Sequence, residues 1–224
     1  MNIMVAETAG FCFGVKRAVE MVYNLLSKGV KVCTLGSLIH NEYVVNKLKN
    51  AGVIVIEDIK DIPVGYTLVV RSHGVTKSCT DYMDKNSIPY VDATCPFVKK
   101  IHKTVESESF LGRKVLIAGD INHPEIMGIM GYCRGDCMVF KDHQELKKIA
   151  EKCKNFSVMD VSLVAQTTFD ANEWIKCVNL TKNLFTNPII YDTICNTTQL
   201  RQKESEKLSK ISTCMVVIGG KNSS

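Results

Sequence analysis

Apolar residues along this chain keep two alternating rhythms. Val15, Ala18, Val19, Val22, Leu25 and Leu26 recur at the spacing of one helix face, and Gly29 follows, where a helix commonly ends. A short, mainly apolar run then occupies 30–35 and stops at Gly36. The same order returns at 115–118 before Gly119 and at 215–218 before Gly219. Further short runs, "TLVVRSHGV", "YVDATC", "VSLVAQTTF" and "IIYDTIC", read as strands, and 2–6 reads as a strand leading into Cys12. Strands alternating with helices predict an α/β fold of parallel sheets with helices on their faces.

The repetition extends to chemically active residues. Cys12, Cys95 and Cys195 open three units, and Gly36, Gly119 and Gly219 each follow 24 residues later. Four residues beyond each glycine stand His40, His123 and Ser223. His73 and Thr167 lie just past matching strands in the second halves of the first two units. The repeat divides the chain into lobes 13–95, 96–194 and 195–224 together with 1–12. The cysteine intervals are 83 and 100 residues, while 29 residues follow Cys195. The third lobe is therefore expected to be incomplete, short of its siblings by about 50 to 70 residues.

In open parallel sheets, ligands gather beyond the carboxyl ends of the strands. The three cysteines, His40, His73, His123, Thr167 and Ser223 are all expected there. Packed around a pseudo-threefold axis, three such lobes bring three sulfurs together. Three thiolates leave one position open on a tetrahedral metal. A cubane iron–sulfur cluster, which usually takes four, keeps one iron free. A single cysteine is more commonly a small buried apolar residue; the shared offset of all three favours a ligand role. Cys33 and Cys214 fall in expected strands and read as core. Cys133 and Cys137 form an isolated C-x-x-x-C with no second pair nearby and read as surface thiols.

Composition narrows the setting. With 46% apolar and 23% charged residues the chain can bury a core, and no apolar run nears the ~20 residues that span a bilayer. The start, "MNIMVAETAGF", lacks the basic and apolar regions of a signal peptide. A cytoplasmic location is expected, where ten cysteines are free thiols or ligands rather than a disulfide framework. A net charge of +5, scattered over helices, suits a small anionic ligand and gives nucleic-acid binding little support.

In "NHPEIMG", Pro124 fits the first turn of a helix, with His123 before it and Glu125 inside that turn. As a first-turn carboxylate, Glu125 complements the helix dipole. Desolvated beside a metal site, it is also a candidate proton donor. His40, His73, Ser223 and Ser224 are expected at or near helix N-termini, where backbone N–H groups bind phosphates. "GGKNSS" is not a Walker A loop, because Met215 stands where its first glycine belongs.

At these residues the sequence resembles a known family. "GFCFGVKRAVE", "IHNEYVV", "SHGV", "DATCP", "NHPEIMG", "QTT" and "GGKNSS" are similar, in order, to motifs of the 4-hydroxy-3-methylbut-2-enyl diphosphate reductases. These enzymes close the methylerythritol phosphate route to isoprenoids. The resemblance implies a three-lobed α/β fold around one [4Fe–4S] cluster on Cys12, Cys95 and Cys195, with one open iron. It implies that His40, His73, His123, Ser223 and Ser224 hold the substrate diphosphate, that Glu125 donates protons, and that Thr167 orients the substrate hydroxyl. The reaction implied is a reductive dehydroxylation to isopentenyl and dimethylallyl diphosphate. Its two electrons come from a donor such as ferredoxin or flavodoxin. The chain departs from the family at its end: the Asn that normally follows the Ser-Ser pair, and a later Ser, are not present. A chain of this extent is expected to bind substrate poorly. Three other readings stand beside this one: a dehydratase like quinolinate synthase, a non-catalytic iron–sulfur sensor, and a zinc-binding structural protein.

Overall fold

A computed structural model of the chain describes residues 2–152 and 159–219. In chain order its elements begin with α1 (Phe13–Ser27), β1 (Val32–Leu35), α2 (Glu42–Asn50), β2 (Ile54–Ile56), β3 (Thr67–Val70), α3 (Lys77–Lys85) and β4 (Tyr90–Asp92). They continue with α4 (Pro96–Phe110), β5 (Lys114–Ala118), α5 (Pro124–Met130), β6 (Cys137–Phe140) and α6 (His143–Lys152). The last are β7 (Val161–Ala165), α7 (Ala171–Leu184), β8 (Ile189–Ile190) and α8 (Asn196–Ile211).

The chain forms two compact units. One holds the residues up to Gly74, Cys79–Cys95 and the segment from Asn196; the other holds Val75–Ser78 and Pro96–Cys195. Each unit contains one four-stranded, wholly parallel sheet. The orders are β2-β1-β3-β4 and β6-β5-β7-β8, so the expected repeat is visible as one topology used twice. Equivalent backbone bonds recur at equivalent places. The Gly36 N–H donates to the Ile56 carbonyl at 2.7 Å, and Gly119 to Phe140 at 2.8 Å. The Cys95 N–H donates to the Ser72 carbonyl, and Cys195 to Thr167, both at 2.8 Å.

Alternation along the strands sorts the cores. In the second unit Leu116, Ala118, Leu163 and Ala165 face one cluster with Trp174 and Phe185, while Val115, Ile117 and Val164 face another with Ile101, Ile126 and Ile129. The sheet is thus covered on both sides, as a parallel sheet requires. In the first unit Ala18 and Val22 of α1 pack with Val32, Leu38, Val69 and Ala93. Helix α8 is tied to the turn ahead of Cys12. The Glu204 carboxylate accepts N–H bonds from Glu7 at 2.7 Å and Thr8 at 2.9 Å, and Arg201 Nε donates to the Thr8 carbonyl at 3.1 Å.

Two expected strands are not formed. Residues 2–6 and 215–218 carry no sheet pairing, and Val5 (78% exposed) and Val217 (88% exposed) lie in solvent. Cys214, expected in that second strand as core, is exposed as well. A strand satisfies its N–H and C=O groups only against a neighbour, and neither segment has one among the described residues. No helix among the described residues is long and apolar enough to cross a membrane.

The double-sided core gives a stability prediction. Leu163, fully buried at the centre of β7, should cost about 2 to 5 kcal/mol when cut to Ala. Val64, fully exposed, should cost within about 0.5 kcal/mol. Denaturant melts of both variants check the contrast.

Candidate active site

Apart from Cys12, ahead of which no strand is formed, the described residues expected to carry the chemistry lie beyond the carboxyl ends of strands. In the first unit, Cys12 is the N-cap of α1, and its side chain makes no capping hydrogen bond. An N-cap position usually holds Ser, Thr, Asp or Asn, whose side chain caps the helix; Cys12 leaves its sulfur unspent. Cys95 directly precedes α4, after a turn in which the Asp92 carboxylate accepts the Thr94 N–H at 2.9 Å. Helix α1 is held against this turn. Arg17 Nη1 donates to the Thr94 carbonyl at 3.2 Å, and a Cβ on Gly14 would stand 2.7 Å from Cys95 Sγ. Only glycine leaves that sulfur its place, although Ala would favour the helix there by about 1 kcal/mol.

Two loops of the same unit bring His40 and His73 into a stack, with ring centroids 4.8 Å apart and planes 11° from parallel. The Ser72 N–H donates to the Leu38 carbonyl at 3.2 Å, zipping the loops together. Arg71 Nε donates to the Gly74 carbonyl at 3.1 Å, and Gly74 takes a positive φ of 80°. His40 directly precedes Asn41, whose side chain caps α2 by accepting the Val44 N–H at 3.0 Å. His73, expected at or near a helix start, stands on the turn four residues ahead of α3. Burial pushes the His40 imidazole down, and the Arg71 guanidinium adds to this. A diphosphate beside the ring opposes both effects and favours the imidazolium.

In the second unit, His123 is the N-cap of α5 and Pro124 opens the helix. The His123 Nδ1 accepts the Glu125 N–H at 3.1 Å, which leaves the neutral ring's proton on Nε2. Glu125 is 4% exposed. Thr167 clamps its carboxylate twice, the backbone N–H donating to Oε1 at 2.6 Å and the hydroxyl to Oε2 at 2.7 Å. Burial pushes the Glu125 carboxyl above the usual carboxylate range, and the two Thr167 bonds pull the other way. Gln166 braces the same corner, its Oε1 accepting the Asp120 N–H at 3.2 Å and its Nε2 donating to Thr168 at 2.9 Å.

Cys195 also belongs to this unit and directly precedes α8, so all three repeat cysteines stand one residue before a helix. The Thr193 hydroxyl positions it by accepting the Ala165 N–H and donating to the Ala165 carbonyl, both at 2.8 Å. None of the three is in a disulfide, and all are half-buried. Among the described residues, no three His, Cys, Asp or Glu side chains are gathered closely enough to hold a metal ion. The donor chemistry nevertheless fits an iron–sulfur group. Cys12 spends no bond on its helix, a glycine clears the Cys95 sulfur, and open N–H groups at helix starts favour negative charge nearby. Ser223 and Ser224 lie outside the described residues.

Several contributors went unnoticed in the sequence. Arg17 and Arg71 lie within "GFCFGVKRAVE" and "TLVVRSHGV", but no repeat position or spacing marks either of them. Gln166 lies within the "QTT" motif, and its neighbours there were the available signal.

Comparison with known proteins gives a consistent picture. A family profile described as "LytB protein" matches residues 3–224. A relative from Thermoanaerobacter sp. (strain X514), named 4-hydroxy-3-methylbut-2-enyl diphosphate reductase, is 40% identical over 231 residues, spanning 100% of this chain and 77% of its own. One of the same name from Clostridioides difficile (strain 630) is 37% identical, spanning 100% of this chain and 79% of its own. A solved structure of (E)-4-hydroxy-3-methyl-but-2-enyl diphosphate reductase, described as the terminal enzyme of the non-mevalonate pathway, superposes with a TM-score of 0.77. It is 37% identical and covers 99% of this chain and 78% of that one.

The raised Glu125 pKa has a definite sign in stability. A folded pKa above the unfolded one adds stability that is complete below the unfolded value, near pH 4.3, and is lost as pH rises through the folded value. Glu125→Gln removes that titration and keeps an amide that pairs with Thr167. Its melting temperature should therefore gain on the wild type as pH rises from about 4. A gap that stays constant with pH would contradict the assigned burial cost.

Proposed function

The chain belongs to the LytB family of 4-hydroxy-3-methylbut-2-enyl diphosphate reductases, and on that premise we propose that it removes the allylic hydroxyl of this diphosphate reductively. The substrate alcohol takes up two electrons and two protons, its C–O bond breaks, and water leaves with isopentenyl or dimethylallyl diphosphate. The observation that carries this reading is the buried Glu125 carboxyl clamped by Thr167 beyond the end of the second sheet.

The residues divide the work. Glu125, its pKa raised by burial, keeps its proton at a pH where an exposed carboxyl has lost it. The Thr167 hydroxyl, which donates to the ionised Glu125 carboxylate, accepts from Glu125 when that carboxyl is protonated, and its own hydrogen then goes to the substrate hydroxyl that it orients. His40 and His73 in one unit, and His123 in the other, take the diphosphate, with Ser223 and Ser224 as hydroxyl donors. The stacked pair suits a highly charged anion, because a proton gained by His40 on binding strengthens the contact. Cys12, Cys95 and Cys195 would hold a [4Fe–4S] cluster. When bound, that cluster supplies single-electron transfer and Lewis acidity at an iron not held by a thiolate. A small electron-transfer protein such as ferredoxin or flavodoxin supplies the electrons. A cytoplasmic setting, which keeps thiols reduced, suits this chemistry.

The test is turnover of the diphosphate by anaerobically reconstituted protein, with and without a low-potential reductant. Conversion should require the reductant and yield isopentenyl and dimethylallyl diphosphate. Glu125→Gln should keep the visible absorbance of the cluster and lose about 10²-fold or more in kcat, as expected for a missing general acid. Reductant-independent loss of the hydroxyl would point to a dehydratase. Unchanged kcat in Glu125→Gln would remove Glu125 from the mechanism.

A further inference from the structure

The second unit holds two thiols that the reaction above does not use. Cys133 follows α5, its N–H donating to the Met130 carbonyl at 3.0 Å. Cys137 opens β6, in register with Val115 of β5. Gly135 turns the chain between them with a φ of 88°, a conformation that disfavours any residue with a Cβ. The turn is pinned by Ser109, whose hydroxyl oxygen accepts the Arg134 N–H at 2.9 Å. Expected as surface thiols of an isolated C-x-x-x-C, the two are half-buried and pack against the same cluster as Ile117 and Ile129.

Both thiols line that one cluster on either side of the Gly135 turn, and each shifts the other's ionisation. The Lys114 ammonium bears on both thiols and stands 3.9 Å from the Asp136 carboxylate. Cys137, with help from Ser109 and Lys114, holds the Cys133 thiol down at about 7 against its burial. The same contact, together with burial, pushes Cys137 up. Cys133 is thus the more readily ionised thiol of the two, and Cys137, across the same turn, is the candidate to resolve it.

We propose that Cys133 and Cys137 form a reversible oxidation site for peroxides, closing a disulfide across the turn between α5 and β6. The Cys133 thiolate attacks one peroxide oxygen, and the O–O bond breaks. Cys133 becomes a sulfenic acid, oxidised by two electrons, and the released hydroxide takes a proton to leave as water. The Cys137 sulfur then displaces the sulfenic hydroxyl, which leaves as a second water with the Cys137 proton. Two equivalents of a small thiol return both residues to the reduced state by exchange.

The full chain, held anaerobically, is treated with stoichiometric hydrogen peroxide, alkylated and digested with trypsin without reduction. Cleavage after Arg134 puts Cys133 in peptide 115–134 and Cys137 in peptide 135–141, so their disulfide reads as a joined pair of masses. That pair should be the first cysteine oxidation product and should vanish after dithiothreitol. Its rate of formation should fall about tenfold per pH unit below 7, with the thiolate fraction. Cys137→Ser should instead trap a dimedone adduct on Cys133. Alkylated, unjoined Cys133 and Cys137 after other cysteines have oxidised would overturn the proposal, as would either one paired chiefly with a different cysteine.

Discussion

Neighbouring parallel strands cannot be joined by a tight turn. The chain must cross back over the sheet, and that constraint organises this protein. Each crossover here is a helix or a short loop, so strand ends and helix starts collect along one edge of each sheet. Cys95 and Cys195 stand where β4 and β8 give way to α4 and α8, and each is fixed by a backbone bond to the end of the neighbouring strand. Glu125 enters the same edge of its sheet from the first turn of α5, where the Thr167 backbone N–H, just past β7, meets it. The reactive groups are assembled by topology before any side chain selects a partner.

Packing then decides which side chains hold these positions. Gly14 is required because α1 lies against Cys95, and Gly119 because α5 lies so close that an added Cβ would stand 2.5 Å from Ile126 Cδ1. A protein interior is packed densely enough that such contacts cannot be relaxed cheaply. The Glu125 carboxyl is kept in a buried place by two charge-assisted bonds, which offset part of the desolvation and leave its pKa raised. The energetic cost of that burial is what raises its pKa.

Much of this was legible in the sequence, because repetition and periodicity are local signals. The offset of 24 residues between Cys and Gly marked equivalent units, and the two sheets share one strand order. Pro124 after His123 placed the start of α5, and the structure puts it there. What escaped depends on contacts between distant segments. Arg17 looks like a solvated helix residue until the Thr94 carbonyl stands beside it. The apolar runs 2–6 and 215–218 have strand composition, but a strand is a pairing and not a property of its own residues. Cys133 and Cys137 read as surface thiols until the fold packs both against the cluster under β5.

The central claim is that the three repeat cysteines serve one metal centre. Iron and acid-labile sulfide per chain, after anaerobic reconstitution, test it most directly in the wild type and in Cys12→Ser, Cys95→Ser and Cys195→Ser. The account predicts about four of each per wild-type chain, the cubane stoichiometry, and a large loss in every one of the three variants. Wild-type iron content in any of them, with the chain still folded, would contradict it.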